Sequence, residues 1–327
     1  MYVVYYHNVV EGSVSEVDRR SSRLARDRFA LQMSFLKEQF RVISLDEYWD
    51  RLQSDRTDPR CVSITFDDAY AGVGEVAAPI LADLELPAAV FAISGTLQEP
   101  DMLLHYEELE AALALTQQPD VAAPELGFER LRIASDKSRA LFLKRIKTAL
   151  KGRPEEQRAA IQSALIERLQ VQPGQLNVSV VPHARKMDAV ALRQLSGSGR
   201  WMVGGHTRSH RVLSQLDPES CREEIAGCRA DLTEALGQAP RFLAYPYGKP
   251  EHVGELAPGL SAEVGFSASF TTVPGANQAG SDPHKLKRVE FIDLMAASPP
   301  EIQERARQVF RPGVIEPASH ESTKVND

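Results

Sequence analysis

The chain of 327 residues has three cysteines, Cys61, Cys221 and Cys228, and no CxxC pair among them. That excludes a disulfide-stapled scaffold and a zinc site built on clustered thiolates. Cys221 and Cys228 fall seven apart on a predicted helix, about 10 Å by the helical rise, too far to bridge. Positive charge is also in short supply: 38 Lys and Arg against 45 Asp and Glu leave a formal charge of −7. With no basic stripe, nucleic acid is not an expected partner, and neutral substrates fit better than polyanions. No run approaches the roughly 18 apolar residues that a spanning helix requires. The opening "MYVVYYHNVVEGSVSE" has no basic leader, long apolar segment or small-residue cleavage site, so the expected location is cytoplasmic.

What the chain does have is apolar content, 43%, and a length that suits either two ordinary domains or one α/β barrel with insertions. Eight short β-branched and aromatic runs recur at 2–7, 41–45, 61–66, 88–93, 201–206, 241–246, 266–272 and 286–291. Most are apolar on both parities, as in parallel strands covered on both faces, and amphipathic stretches at 27–40, 76–85 and 218–237 alternate with them. The pattern predicts an α/β fold, an irregular (β/α) barrel of seven to eight strands formed by 1–96 and 197–312. Between them, 97–196 carries charged helical patterns with no strand signal and is predicted to be an inserted helical subdomain near the rim, covering substrate or mediating association. The polar segment 313–327 is predicted to be a flexible tail.

Chemistry-bearing residues gather at the predicted C-terminal ends of strands, where barrel active sites assemble from loops. "GGHTRSH" sets His206 and His210 four apart, so that in a helix or tight turn both imidazoles face one way. "TFDDAY" sets Asp67 and Asp68 side by side where a strand becomes a loop; the alternative is a solvated turn. "RFLAYPYG" sets Tyr245, Pro246 and Tyr247 in a rigid turn that either walls a sugar-sized site or packs as core, and His7 ends the first strand. Two histidines and one carboxylate make an open three-ligand site for a divalent metal, with Zn²⁺ fitting the nitrogen and oxygen mix. The second carboxylate supplies a base and His7 an acid.

The elements "TFDD", "HTRSH" and "RFLAYPYG", in that order, resemble the first three motifs of the carbohydrate esterase family 4 polysaccharide deacetylases, the NodB-homology family. "YYHNV", "VISLDEY" and the late "GFSASFTTVPGANQ…LKRVEF" resemble its subgroup with an N-terminal YH-x-V strand. The resemblance implies Asp67 as base, Asp68 as ligand beside His206 and His210, and Arg241 as the group that orients Asp67. Two departures stand out. Ala69 replaces a common glycine, a change expected to matter little, and "LKRVEF" replaces the late motif that carries the general acid. The biofilm poly-N-acetylglucosamine deacetylases, which these features also resemble, keep that acid on the first strand, where His7 lies.

Together these residues predict a metal-dependent hydrolase that removes acetyl from an N-acetylated carbohydrate, with a backbone N–H near Tyr247 holding the oxyanion. An O-acetyl esterase or small-amide hydrolase on the same scaffold, or a non-catalytic carbohydrate-binding protein, are the alternatives. A spare carboxylate beside a three-ligand set argues against the last, since structural sites are usually closed by four protein ligands. His105, His183, His252 and His284 are read as surface or structural residues.

Overall fold

The structure, a computed structural model, describes residues 1–20, 22–291 and 298–310; the predicted tail at 313–327 lies outside them. All eight predicted strand segments form strands: β1 (Tyr2–Tyr6), β2 (Arg41–Val42), β3 (Cys61–Phe66), β4 (Ala88–Ala92), β5 (Trp201–Gly205), β6 (Phe242–Ala244), β7 (Ala268–Phe270) and β8 (Val289–Glu290). They make one sheet in the order β7-β6-β5-β4-β3-β1-β8, with β2 paired beside β3, and every pairing is parallel. Its two edges meet where Phe270 pairs with Leu286, Thr271 N–H donating to Leu286 O at 2.8 Å and Leu286 N–H to Ser269 O at 3.0 Å. The barrel is thus irregular: seven strands go round, and closure rests on one short bridge.

Strand alternation assigns the side chains. Val3, Cys61, Ala89, Phe91, Phe242, Ala244, Ala268 and Phe270 point inward and fill the barrel. Tyr2, Val4, Tyr6, Val62, Ile64, Phe66, Val90 and Val203 point outward against the helices, so both faces are apolar. Around them run the helices Arg26–Gln39, Leu45–Gln53 and Pro218–Leu236. The second begins where the Ser44 hydroxyl accepts from Glu47 N–H, and the third where Asp217 accepts from the N–H groups of Glu219 and Ser220, both side-chain N-caps. Among the described residues no helix is long and apolar enough to cross a membrane.

The insertion has its own core, in which Leu109, Leu113, Phe142, Ile146, Leu165 and Leu169 are buried together. Two of its predicted features need correction. It is not purely helical: Asp120–Ala123 and Phe128–Arg132 form an antiparallel pair beside the helices His105–Leu115, Asp136–Lys151 and Glu155–Arg168. It also ends earlier than 196, because Met187 and Leu192, the latter on the helix Ala189–Gly197, pack into the main barrel core. A helical periodicity cannot reveal which core its apolar face joins.

Candidate active site

At the C-terminal rim the inward parity continues past the strand ends. His7 follows Tyr5 and Asp67 follows Thr65 on the inward face, and Tyr6 lies opposite Phe66 in register, so His7 and Asp67 are neighbours across the β1–β3 pair. Asp67 N–H closes the ladder onto Tyr6 O at 2.9 Å. Asp68 has the wrong parity and reaches the same cavity because its backbone turns left-handed, at φ 70°, followed by Ala69 at φ 53°. Such conformations cost a non-glycine residue of the order of 1–2 kcal/mol and cluster at functional sites. Ala69 therefore matters more than its sequence position suggested.

The two histidines do not share a helix. His206 extends the inward row of β5, and the chain then turns through Thr207 at φ 61° to His210 at φ 58°. Gly95 N–H donates to Arg208 O at 2.8 Å and supports this turn, in a gap where a Cβ on residue 95 would meet that oxygen at 2.5 Å. Gly204 is required by a similar closeness, to the Phe91 ring at 2.6 Å.

The result is a buried triad, with Asp68 Oδ1 3.3 Å from His206 Nε2 and 3.4 Å from His210 Nε2. His206 Nδ1 lies 2.7 Å from Ala244 O, which fixes the ring with Nε2 toward Asp68. Ligand atoms of all three residues fall within 4.8 Å of one another, and Asp68 Oδ1 has no hydrogen-bond partner. Two imidazole nitrogens around a bare buried carboxylate oxygen fit a divalent cation. Burial opposes ionisation of Asp68, and His210 and His206 outweigh it, holding the carboxyl well below its usual range. His210 is pushed down to about 3, chiefly by burial, so its ring is neutral and available as a ligand. His206 moves up: burial works against its charge, and Asp67 and Asp68 prevail.

Asp67 is held by a residue outside the sequence-predicted set. Arg288 donates to both its oxygens, Nη1 to Oδ1 at 2.7 Å and Nη2 to Oδ2 at 2.8 Å. The guanidinium is fully buried, donates through Nε to Thr271 O at 3.0 Å, and lies over the rings of Tyr5 and Phe91 at 4.7 and 5.6 Å. Burial alone raises the Asp67 carboxyl; Arg288 reverses the shift, so the group stays ionised. The predicted partner Arg241 lies elsewhere. It precedes β6, at the opposite end of the strands from Asp67, where it is exposed and ion-paired with Asp46. Alternation contains the signal for the true partner: Val289 and Phe291 face the outer core, so Arg288 and Glu290 face inward, and an arginine facing a barrel interior needs a counter-charge.

Of the "YPYG" turn, Tyr247 reaches the cavity, through a left-handed backbone at φ 61°, and sets its ring 4.9 Å from that of His210. Tyr245 has outward parity and is core: its hydroxyl donates to His284 O at 3.0 Å and lies 3.2 Å from Ser261 Oγ. Pro246 is buried in the turn and does not line the cavity.

The cavity holds about 270 Å³, at the small end for ligand pockets. His7, Asp67, Asp68, His206, His210 and Tyr247 line it, and the insertion adds His105, Tyr106, Lys147 and Lys151. Asp68, His206 and His210 all come from the barrel. The insertion braces the triad: Tyr106 hydroxyl donates to Asp68 Oδ2 at 3.3 Å and meets the Tyr70 hydroxyl at 3.2 Å. Tyr70 in turn donates to Glu107 at 2.7 Å, and Glu107 pairs with the fully buried Lys186. His105, read from sequence as surface or structural, lies 3.4 Å from the Tyr247 hydroxyl and is pushed by burial down to about 2.

Residues 176–257 match the family model of the polysaccharide deacetylases, a span that contains β5, the "HTRSH" turn and the "YPYG" turn. No curated protein matches the chain. Among solved structures it resembles the deacetylase PplD of Streptococcus pyogenes, solved in complex with acetate, at 17% identity and TM-score 0.59, covering 95% of this chain and 98% of that one. It resembles IcaB from Ammonifex degensii at 21% identity and TM-score 0.57, covering 95% and 97%. A de-N-acetylase from Aggregatibacter actinomycetemcomitans aligns at 14% identity and TM-score 0.53, covering 88% and 93%. At these identities the structural likeness establishes the shared fold. The segment that matches the polysaccharide deacetylase model holds both histidines of the triad, and the chain shares its fold with solved deacetylases.

Proposed function

We propose that the protein is a metal-dependent deacetylase that hydrolyses the acetamide of an N-acetylated amino sugar. The observation that carries this reading is a pair of adjacent carboxylates in opposite settings. Asp68 turns an unpartnered oxygen toward two imidazoles, while Asp67 is kept ionised by Arg288. Asp68, His206 and His210 would hold the cation, and their donor set suits Zn²⁺ with positions left open. A bound divalent ion supplies Lewis-acid polarisation of the amide carbonyl and lowers the pKa of water beside it.

The remaining steps belong to the chain. Asp67 takes the proton of the attacking water, and Arg288 keeps the accepting oxygens aimed while balancing their charge in a buried setting. The oxyanion role falls to the backbone N–H of Tyr247, a residue on a left-handed turn that lines the cavity. An amide nitrogen leaves only when protonated. His7 lines the cavity across the ladder from Asp67, and its Nδ1 is buried without a partner, which supports it as the proton donor.

The test is acetate release from N-acetylglucosamine and its oligomers, before chelation, after it, and after Zn²⁺ is restored. Activity should disappear and return. Failure of the zinc-loaded protein to release acetate from any N-acetylated sugar would overturn the reading.

A further inference from the structure

The insertion carries a feature that deacetylation of a neutral sugar does not use. Lys147 and Lys151 lie one turn apart on the helix Asp136–Lys151, on one face, and both line the cavity. Lys249, exposed just beyond the "YPYG" turn, lines it from the barrel side. Like charges one turn apart oppose each other on a helix, so the pair needs a compensating interaction.

Lys147 has one: its ammonium donates to Glu110 at 2.9 Å, although Glu110 also pairs with Arg23. Lys151 makes no hydrogen bond or ion pair among the described residues; its Nζ stands over the Tyr247 ring, 4.8 Å from the centroid. Burial first, then Lys147 and Lys249, pull its pKa down to about 8, with Glu290 and Glu251 opposing them only in part. The same Tyr247 ring packs 4.9 Å from His210 on another side. A cation largely withdrawn from water, without a counter-ion, therefore stands one aromatic ring away from the triad. An overall charge of −7 makes this local cluster of lysines the more distinctive.

We infer that the substrate carries an anionic substituent, a phosphate ester or a carboxylate, and that Lys151, with Lys147 and Lys249, forms its subsite. This rests on the reading of the neighbouring site as a sugar deacetylase. An ammonium acts as a rotatable point charge and suits either anion, and the desolvated position of Lys151 strengthens the contact.

The experiment compares kcat/KM of the zinc-loaded, full-length protein on N-acetylglucosamine 1-phosphate, N-acetylmuramic acid and the neutral methyl glycoside of N-acetylglucosamine. The anionic substrates should be favoured by about 10- to 100-fold, the worth of one charge-assisted contact. In Lys151→Met that ratio should collapse toward one. Preference for the phosphate alone or for the carboxylate alone would identify the anion. A parent ratio of one or less, with the neutral sugar turned over, would overturn the subsite and leave the deacetylase reading standing. Absence of all turnover would sink the latter, and calorimetric titration of the same three ligands would still decide the subsite: equal affinities for charged and neutral sugars, or affinities that Lys151→Met leaves unchanged, would overturn it.

Discussion

The barrel and the insertion face the same cavity with different chemistry. The barrel contributes Asp67, Asp68, His206, His210 and Arg288, buried ionisable groups placed by strand parity and by turns in the left-handed region. The carboxylates there have close opposing groups, Arg288 for Asp67 and the two imidazoles for Asp68. The insertion contributes hydroxyls and ammonium groups from helices with a core of their own, and joins the barrel through Tyr106–Asp68, Glu107–Lys186 and Arg23–Glu110. The difference teaches where variation is cheap. A side chain on a separately packed helix can change without disturbing the strand register, whereas the barrel set depends on that register.

The sharpest test of this division is removal of the triad. The double variant His206→Ala, His210→Ala should lose bound metal and fall to background activity; stoichiometric Zn²⁺ retained in elemental analysis would break the assignment. His7→Gln should keep its metal and lose about 10²- to 10⁴-fold in amide cleavage, with a smaller loss on an activated ester that needs no proton on its leaving group. Amide cleavage within a few-fold of the parent rate would return His7 to a structural role. Arg288→Met leaves Asp67 buried without its partner and should cost about 3–5 kcal/mol in denaturant unfolding, partly recovered by adding Asp67→Asn. On the insertion side, Tyr106→Phe removes a brace on Asp68 and should weaken metal binding about 10-fold in a chelator competition. A loss as large as that of the histidine variants would show that the insertion belongs to the metal site proper. The smallest effect is Ala69→Gly, which relieves the left-handed alanine and should stabilise the protein by up to about 1 kcal/mol, read as a raised Tm.

Strand positions, the rim and the cluster of Asp68, His206 and His210 were legible because each depends on local pattern: apolar runs of strand length, and polar residues where they stop. Arg241 was misplaced because a motif gives neighbours in sequence and not the end of the strand on which a residue lies. Counting parity through "LKRVEF" would have placed Arg288 inside. The same count sets Tyr245 outside the site, since Leu243 and Tyr245 share the outward core with Leu213 and Phe266. Tyr106, Lys147 and Lys151 were out of reach for a different reason. Their helices read as solvated and charged, and only the docking of the insertion turns one face of each toward the cavity.

Arg288 is 221 positions from the carboxylate it holds. A ribosome delivers Asp67 well before its counter-charge, so over that interval the carboxylate has no partner and the barrel no closing bridge between Phe270 and Leu286. Order of emergence thus withholds the finished cavity: every nascent form that stops short of Leu286 lacks both the seal and the cation that keeps Asp67 ionised.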